Sequence, residues 1–237
     1  MAYVSGKVVV DARVGQLERE LKVMKSAVPV YDVVEAGSYG LALVALREAY
    51  ARGKAGLQPV FEGVVRPLSF EETIDCVVNA YESGDKRLLN RWNDSCTGVV
   101  HKNGSFKFKV VPVCRELVFL GGGFVQPFVS VDYDTYECVE LDSSRGKYNV
   151  PLLKKDVLGN GGWLAALNGN KPLLRAFRDI VFSEFKVEKA MSFNVFQNMS
   201  QDVLRVLAVG DIYYHCNADD RRYLLYGITR FVRVAQK

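Results

Sequence analysis

The chain has 237 residues, enough to bury a sizeable core without disulfide or metal staples. Its apolar share of 49% and charged share of 24% are those of an ordinary globular protein, and they exclude a disordered or fibrous chain. The net charge is only +4 and no basic run exceeds two residues, so the dense basic stripe of a dedicated nucleic-acid binder is missing.

Val4 to Val10 reads as a β-branched strand. Asp11 to Ala27 reads as a helix with Val14, Leu17, Leu21 and Met24 on one face, ended by Pro29. Ser38 is placed to cap a helix running to Gly53. Ser69 begins a capping box with Glu72, ahead of an apolar face of Ile74, Val77, Val78 and Tyr81. Lys86 to Trp92 adds a short helix. Val99-Val100 and Phe106 to Val110 read as a hairpin turning at Asn103-Gly104, with Phe106, Phe108 and Val110 inward. Leu117–Leu120 and Phe128–Tyr133 read as strands on either side of Gly121-Gly122-Gly123. Leu152–Leu158, Trp163–Leu167 and Pro172–Phe185 read as helical, and Phe231–Val234 as a closing strand. The order implies a single α+β domain over residues 1–237.

Two targeting features are absent. No apolar stretch is long enough to span a bilayer, so no membrane span is expected. Met1-Ala2-Tyr3-Val4 begins no basic and apolar signal sequence, so synthesis in the cytoplasm without a signal peptide is expected.

The chemistry-bearing residues do not assemble into a recognisable catalytic motif, and the expectation is a protein that is not an enzyme. The five cysteines are widely spaced, with no CxxC pair, and the histidines are His101 and His215, so neither a disulfide framework nor a zinc site is expected. Asp132, Asp134, Glu137, Glu140 and Asp142 could hold a metal for a nuclease. The residue two before Lys147 is Arg145 where that chemistry wants a glutamate, and a solvated strand edge is the plainer reading. Gly121-Gly122-Gly123 lacks phosphate-loop spacing. His215-Cys216, if on a strand, would point to opposite faces. No cofactor is expected.

The informative stretch is Asp202 to Ala235. It contains no Trp, Gln, Glu, Lys or Met, although these types make up roughly one residue in five upstream. The same stretch is crowded with Tyr, Asn, Asp, His and Arg, which give adaptable contacts at low entropic cost, as in a paratope. A codon whose third base is held to a pyrimidine while the first two vary freely encodes none of the missing five. The segment closes with Asn217-Ala218-Asp219-Asp220, a polar and aromatic run, and Arg230-Phe231-Val232-Arg233-Val234.

On these residues the chain resembles the variable proteins of diversity-generating retroelements, in particular those of archaeal viruses. The resemblance covers roughly the last 45 residues. Gly161-Gly162-Trp163 is a loose counterpart of a glycine–tryptophan segment in that family. The resemblance implies a C-type-lectin-like fold in which Val8–Val10 lies near Phe231–Val234, with a variable region at about 192–229. It implies ligand-contacting side chains at Tyr213, Tyr214, His215, Asn217, Asp219, Asp220, Arg221, Arg222, Tyr223 and Tyr226, with Asn194, Phe196 and Asn198 as further positions. Leu204, Val206, Leu207, Phe231, Val232 and Val234 would be scaffold. The implied ligand is a protein or glycan on a host cell surface, and the protein could be displayed on a virion. The alternative is nucleic-acid binding through Lys102, Lys107, Lys109, Arg221, Arg222, Arg230 and Arg233 interleaved with aromatics.

Overall fold

The computed structural model describes residues 31–53, 58–121, 128–197, 199–210, 215–220 and 229–234. The chain divides into a unit of Met1–Val30 and a unit of Tyr31–Lys237, and the described residues all belong to the second. The strand at Val4–Val10 and the helix at Asp11–Ala27 lie outside the described residues.

Strand β1 (Tyr31–Ala36) leads into helix α1 (Tyr39–Ala51), where the Ser38 hydroxyl accepts from the Leu41 N–H as the sequence implies. A small hairpin, β2 (Val60–Phe61) and β3 (Val64–Val65), precedes α2 (Phe70–Glu82). The capping box at the start of α2 is complete: Ser69 Oγ accepts from Glu72 N–H at 3.2 Å, and Glu72 Oε2 accepts from Ser69 N–H at 2.7 Å. Burial alone would push the Glu72 carboxyl up. A two-pronged bond from Arg66 outweighs it and holds the carboxyl below the usual range.

Strands β4 (Asn93–His101) and β5 (Lys107–Val111) form the expected hairpin, followed by the one-turn helix α3 (Arg115–Val118). Then come β6 (Val129–Ser130), β7 (Glu140–Asp142), β8 (Leu152–Leu153), and helices α4 (Lys154–Val157), α5 (Gly161–Ala166) and α6 (Lys171–Phe185). The chain closes with β9 (Lys189–Ala190), β10 (Phe193–Asn194), β11 (Val203–Val209), β12 (Ala218–Asp219) and β13 (Thr229–Val234).

The main sheet runs β1-β13-β4-β11-β12-β10 among the described residues. Its centre is the antiparallel pair β4 and β11, in which every position of both strands is buried. Each of these strands forks along its outer edge. β4 meets β13 at Asp94 and β5 from Gly98 onward, while β11 meets β6 at Val203 and Leu204 and β12 at Ala208 and Val209. The fork coincides with a bulge, where the Ser95 hydroxyl donates to the Leu207 carbonyl at 2.6 Å.

Alternation along these strands feeds two cores. Val99, Leu207 and Val232 face a core with Phe70 and Ile74 of α2, Trp163 of α5 and Phe177 of α6. Val100, Val206 and Phe231 face a second core with Tyr39, Leu43 and Leu46 of α1. The Tyr39 ring meets the edge of Phe231 at 5.0 Å, and its hydroxyl donates to the Ser95 carbonyl at 2.8 Å.

The described strand paired with Phe231–Val234 is Tyr31–Ala36, antiparallel from Tyr31↔Val234 to Ala36↔Thr229; Val8–Val10, expected near Phe231–Val234, lies outside the described residues. The structure corrects several expectations. The residues 86–92 form turns rather than a helix. Leu117 and Val118 belong to a helical turn, because a short apolar run does not by itself distinguish strand from helix. Phe128–Tyr133 shortens to β6 and a 3-10 turn at Tyr133–Thr135. Phe106 precedes β5 and is exposed.

Gly162 allows the closest helix–strand approach. A Cβ there would stand 2.5 Å from the Phe193 ring, itself packed among Trp163, Phe108 and Tyr148. Gly162→Ala is therefore expected to destabilise the fold by about 1–3 kcal/mol in urea unfolding. A cost near zero would show that the ring can yield.

Candidate ligand-binding surface

The C-terminal segment enters from β11 and is seized almost at once. Gly210 N–H donates to the Asn217 carbonyl at 2.7 Å. Two successive residues with positive φ, His215 and Cys216 at 51° each, turn the chain into β12. Strand β12 is then held on both edges, antiparallel to β11 and parallel to β10.

The turn is tied down from below. Met191 N–H donates to the His215 carbonyl at 3.1 Å, while the Met191 carbonyl accepts from the Trp163 indole N–H at 2.8 Å. The Asn217 side chain accepts from Ser192 N–H at 2.9 Å. His215 lies against the Phe185 ring and Cys216 is buried in the main core. Through its indole, the Gly161-Gly162-Trp163 segment thus holds the connection between β9 and β10 that holds the turn.

Asp220 is the point of greatest constraint, with a side chain that is fully buried. One carboxylate oxygen lies 2.5 Å from His101 Nε2, and the other accepts from Phe196 N–H at 3.1 Å. Its backbone N–H donates to the Asn194 carbonyl at 3.2 Å, and its carbonyl accepts from Arg205 Nε at 2.6 Å. The Arg205 guanidinium lies 4.0 Å from the centre of the Phe196 ring. A buried carboxylate is tolerable only with partners of this kind.

The expected ligand-contacting residues therefore divide. Asn194, Asp219 and Asp220 are not surface positions. All three are buried, Asn194 Nδ2 donates to Asp219 Oδ2 at 3.4 Å, and their backbone groups are spent in the sheet. His215, Asn217 and Phe196 are half-buried and reach the surface beside this frame. Tyr213, Tyr214, Arg221, Arg222, Tyr223, Tyr226 and Asn198 lie outside the described residues. The scaffold assignment of Leu204, Val206, Leu207, Phe231 and Val232 agrees with their burial; the side chain of Val234 is not described. Sequence reasoning missed His101 and Arg205 as parts of the site. One signal was available, because Arg205 interrupts the apolar run Val203–Val209 and a buried cation demands partners.

The remaining polar clusters are committed elsewhere. Glu140 pairs with Lys107 at 2.6 Å, Asp134 with Lys102 at 3.4 Å, and Asp142 accepts from Ser144 and faces Arg145. No group of three His, Cys, Asp or Glu converges as metal ligands among the described residues. Lys109 donates to the Tyr133 and Tyr136 carbonyls, Arg230 pairs with Glu35, and Arg233 with Asp32. Burial pushes the Cys76 thiol up to about 12 and the Cys96 thiol to about 11, which keeps both protonated. No helix among the described residues is long and apolar enough to cross a membrane.

No protein-family model matches the chain, and no curated protein matches it. A solved structure does: a protein from Nanoarchaeota described as accommodating massive sequence variation by the C-type lectin fold. It aligns over 87% of this chain and 98% of its own length, with a TM-score of 0.63 and 13% identity. This chain has the C-type lectin fold.

Within that C-type lectin fold, the Asp220 clamp is expected to carry stability rather than ligand contact. Asp220→Ala strands His101 and the Phe196 N–H in the interior and should cost about 3 kcal/mol or more in chemical denaturation. A loss below about 1 kcal/mol would contradict the assignment of Asp220 to the frame.

Proposed function

We propose that this protein is a diversified ligand-binding protein, a member of the variable proteins of diversity-generating retroelements, that uses its C-type lectin fold as a rigid frame. The observation that carries the reading is the match between composition and constraint. Tyr213 and Tyr214 fall in a connection that starts at Gly210 and ends at His215, and Arg221 to Tyr226 fall in one that starts at Asp220 and ends at Thr229. All four ends are backbone held in or beside the sheet. The missing residue types are missing across both connections and the strands around them.

On this reading the side chains at these positions change at little cost to the core, as substitutions outside buried contacts and caps usually do, within about 0.5 kcal/mol. Tyrosine and arginine at such positions supply contact area and charge, and the particular set present decides the ligand. The solved relative in fold supports this reading, because massive sequence variation is what that protein accommodates. The partner class is a protein or glycan exposed on a host cell surface, and the role is binding rather than catalysis. Nucleic acid is the weaker alternative, because Lys102, Lys107, Lys109, Arg230 and Arg233 are engaged within the protein.

Sequencing the 3′ end of the gene across the population it comes from tests the proposal. Variation concentrated at codons 213, 214, 215, 217, 221, 222, 223 and 226, with the third base kept a pyrimidine, is expected. A near-copy of the segment should lie beside a reverse transcriptase gene. A uniform 3′ end with no such copy would overturn it.

A further inference from the structure

The sheet has a second feature that the C-terminal surface does not use. Among the described residues, β7 pairs with β5 alone, so one edge of β7 is open. Ser143 N–H continues the ladder by donating to the Phe106 carbonyl at 2.9 Å. Peptide groups alternate along an antiparallel pair, so Leu141 turns its N–H and C=O toward β5, while Glu140 and Asp142 turn theirs away. The Asp142 carbonyl agrees, accepting from Arg145 N–H at 3.1 Å. The outward N–H and C=O of Glu140 have no backbone partner among the described residues. Unpaired groups of this kind are a template for another strand.

A groove follows the same edge. One cavity of about 520 Å³ is apolar and lined by Val110, Pro112, Val139, Leu164 and Ala165. A second of about 540 Å³ carries charges of both signs, Arg145, Lys147 and Lys155 beside Glu140, Asp142 and Asp156. They share Leu141 and Gly161. A Cβ on Gly161 would stand 3.2 Å from the Tyr148 hydroxyl and 3.3 Å from Leu141 Cδ2, so a side chain there would crowd residues that line the two cavities. Val139, beside the apolar cavity, is 74% exposed on the strand edge. At the polar end Lys147 is paired with Asp156 and Arg145 with Asp142, while Lys155 has no carboxylate partner among the described residues.

We propose that the open edge of β7 and its groove bind an extended peptide segment of another protein by strand addition. An apolar side chain enters the cavity beside Val139, and a carboxylate sits at the Lys155 end. Main-chain bonds to Glu140 supply the register and the two cavities supply the selectivity, as in other edge-strand recognition. The proposal does not rest on the diversification reading.

The test uses the full-length protein and a random library of hexapeptides with free C-terminal carboxylates, with recovered sequences measured by fluorescence anisotropy. β-Branched peptides ending in an acid are expected. N-methylation of alternate central amides should weaken them at least tenfold, as should Val139→Asp, and Lys155→Glu should weaken them several-fold. Both protein substitutions are at exposed positions, and thermal unfolding checks that they leave the fold intact. Recovery of no peptide, or of peptides indifferent to N-methylation and to Val139→Asp, overturns the proposal. So does a Val139-dependent dimer of the chain itself.

Discussion

Everything in this molecule hangs on β4 and β11 lying side by side with both faces covered. Once Val99 and Leu207 are committed to one core and Val100 and Val206 to the other, neither strand can slip by a residue without exchanging its two faces. Register is therefore set at the centre and passed outward through the forks. β13, and through it β1, is fixed by Phe231 opposite Asp94, and β12 is fixed by Ala208 opposite Asp219.

That order explains why polar side chains gather where the chain leaves the sheet toward its C-terminal connections. Backbone groups at the end of a sheet have no further strand to pair with, and leaving them unpaired in the interior costs about 1–3 kcal/mol each. Asp220, Asn217 and Asn149 take those groups instead: Phe196 N–H, Ser192 N–H and Val195 N–H each donate to one of these side chains. These side chains close the described part of the frame from within the chain's own sequence. On the proposed reading, the frame is the part that stays constant while the side chains of the C-terminal connections change.

Much of this was legible in the sequence where local rules act alone. The Ser38 and Ser69 caps, the β4–β5 hairpin, the helix from Pro172, and the last strand were all visible as side-chain chemistry at fixed spacing. What escaped depends on distant partners. No local pattern marks Asn93-Asp94-Ser95-Cys96 as strand, yet it is the buried start of β4, where Ser95 donates to the Leu207 carbonyl, Cys96 to the Pro67 carbonyl, and Asp94 accepts from Arg230 N–H. Asp219 and Asp220 read as ligand-contacting residues for the same reason: nothing near them in sequence announces His101 or Arg205 as partners. Composition singled out the C-terminal segment, but it could not tell the buried Asp219 and Asp220 from the half-buried His215 and Asn217.

The most direct test of this separation is to replace Tyr213, Tyr214, Arg221, Arg222, Tyr223 and Tyr226 together by serine and to measure thermal unfolding. A rigid frame that owes nothing to those side chains predicts a change within about 1 kcal/mol, or roughly 2–4 °C in Tm. A fall several times larger would mean that those residues belong to the core. The claim that this fold carries an exchangeable surface would then be contradicted.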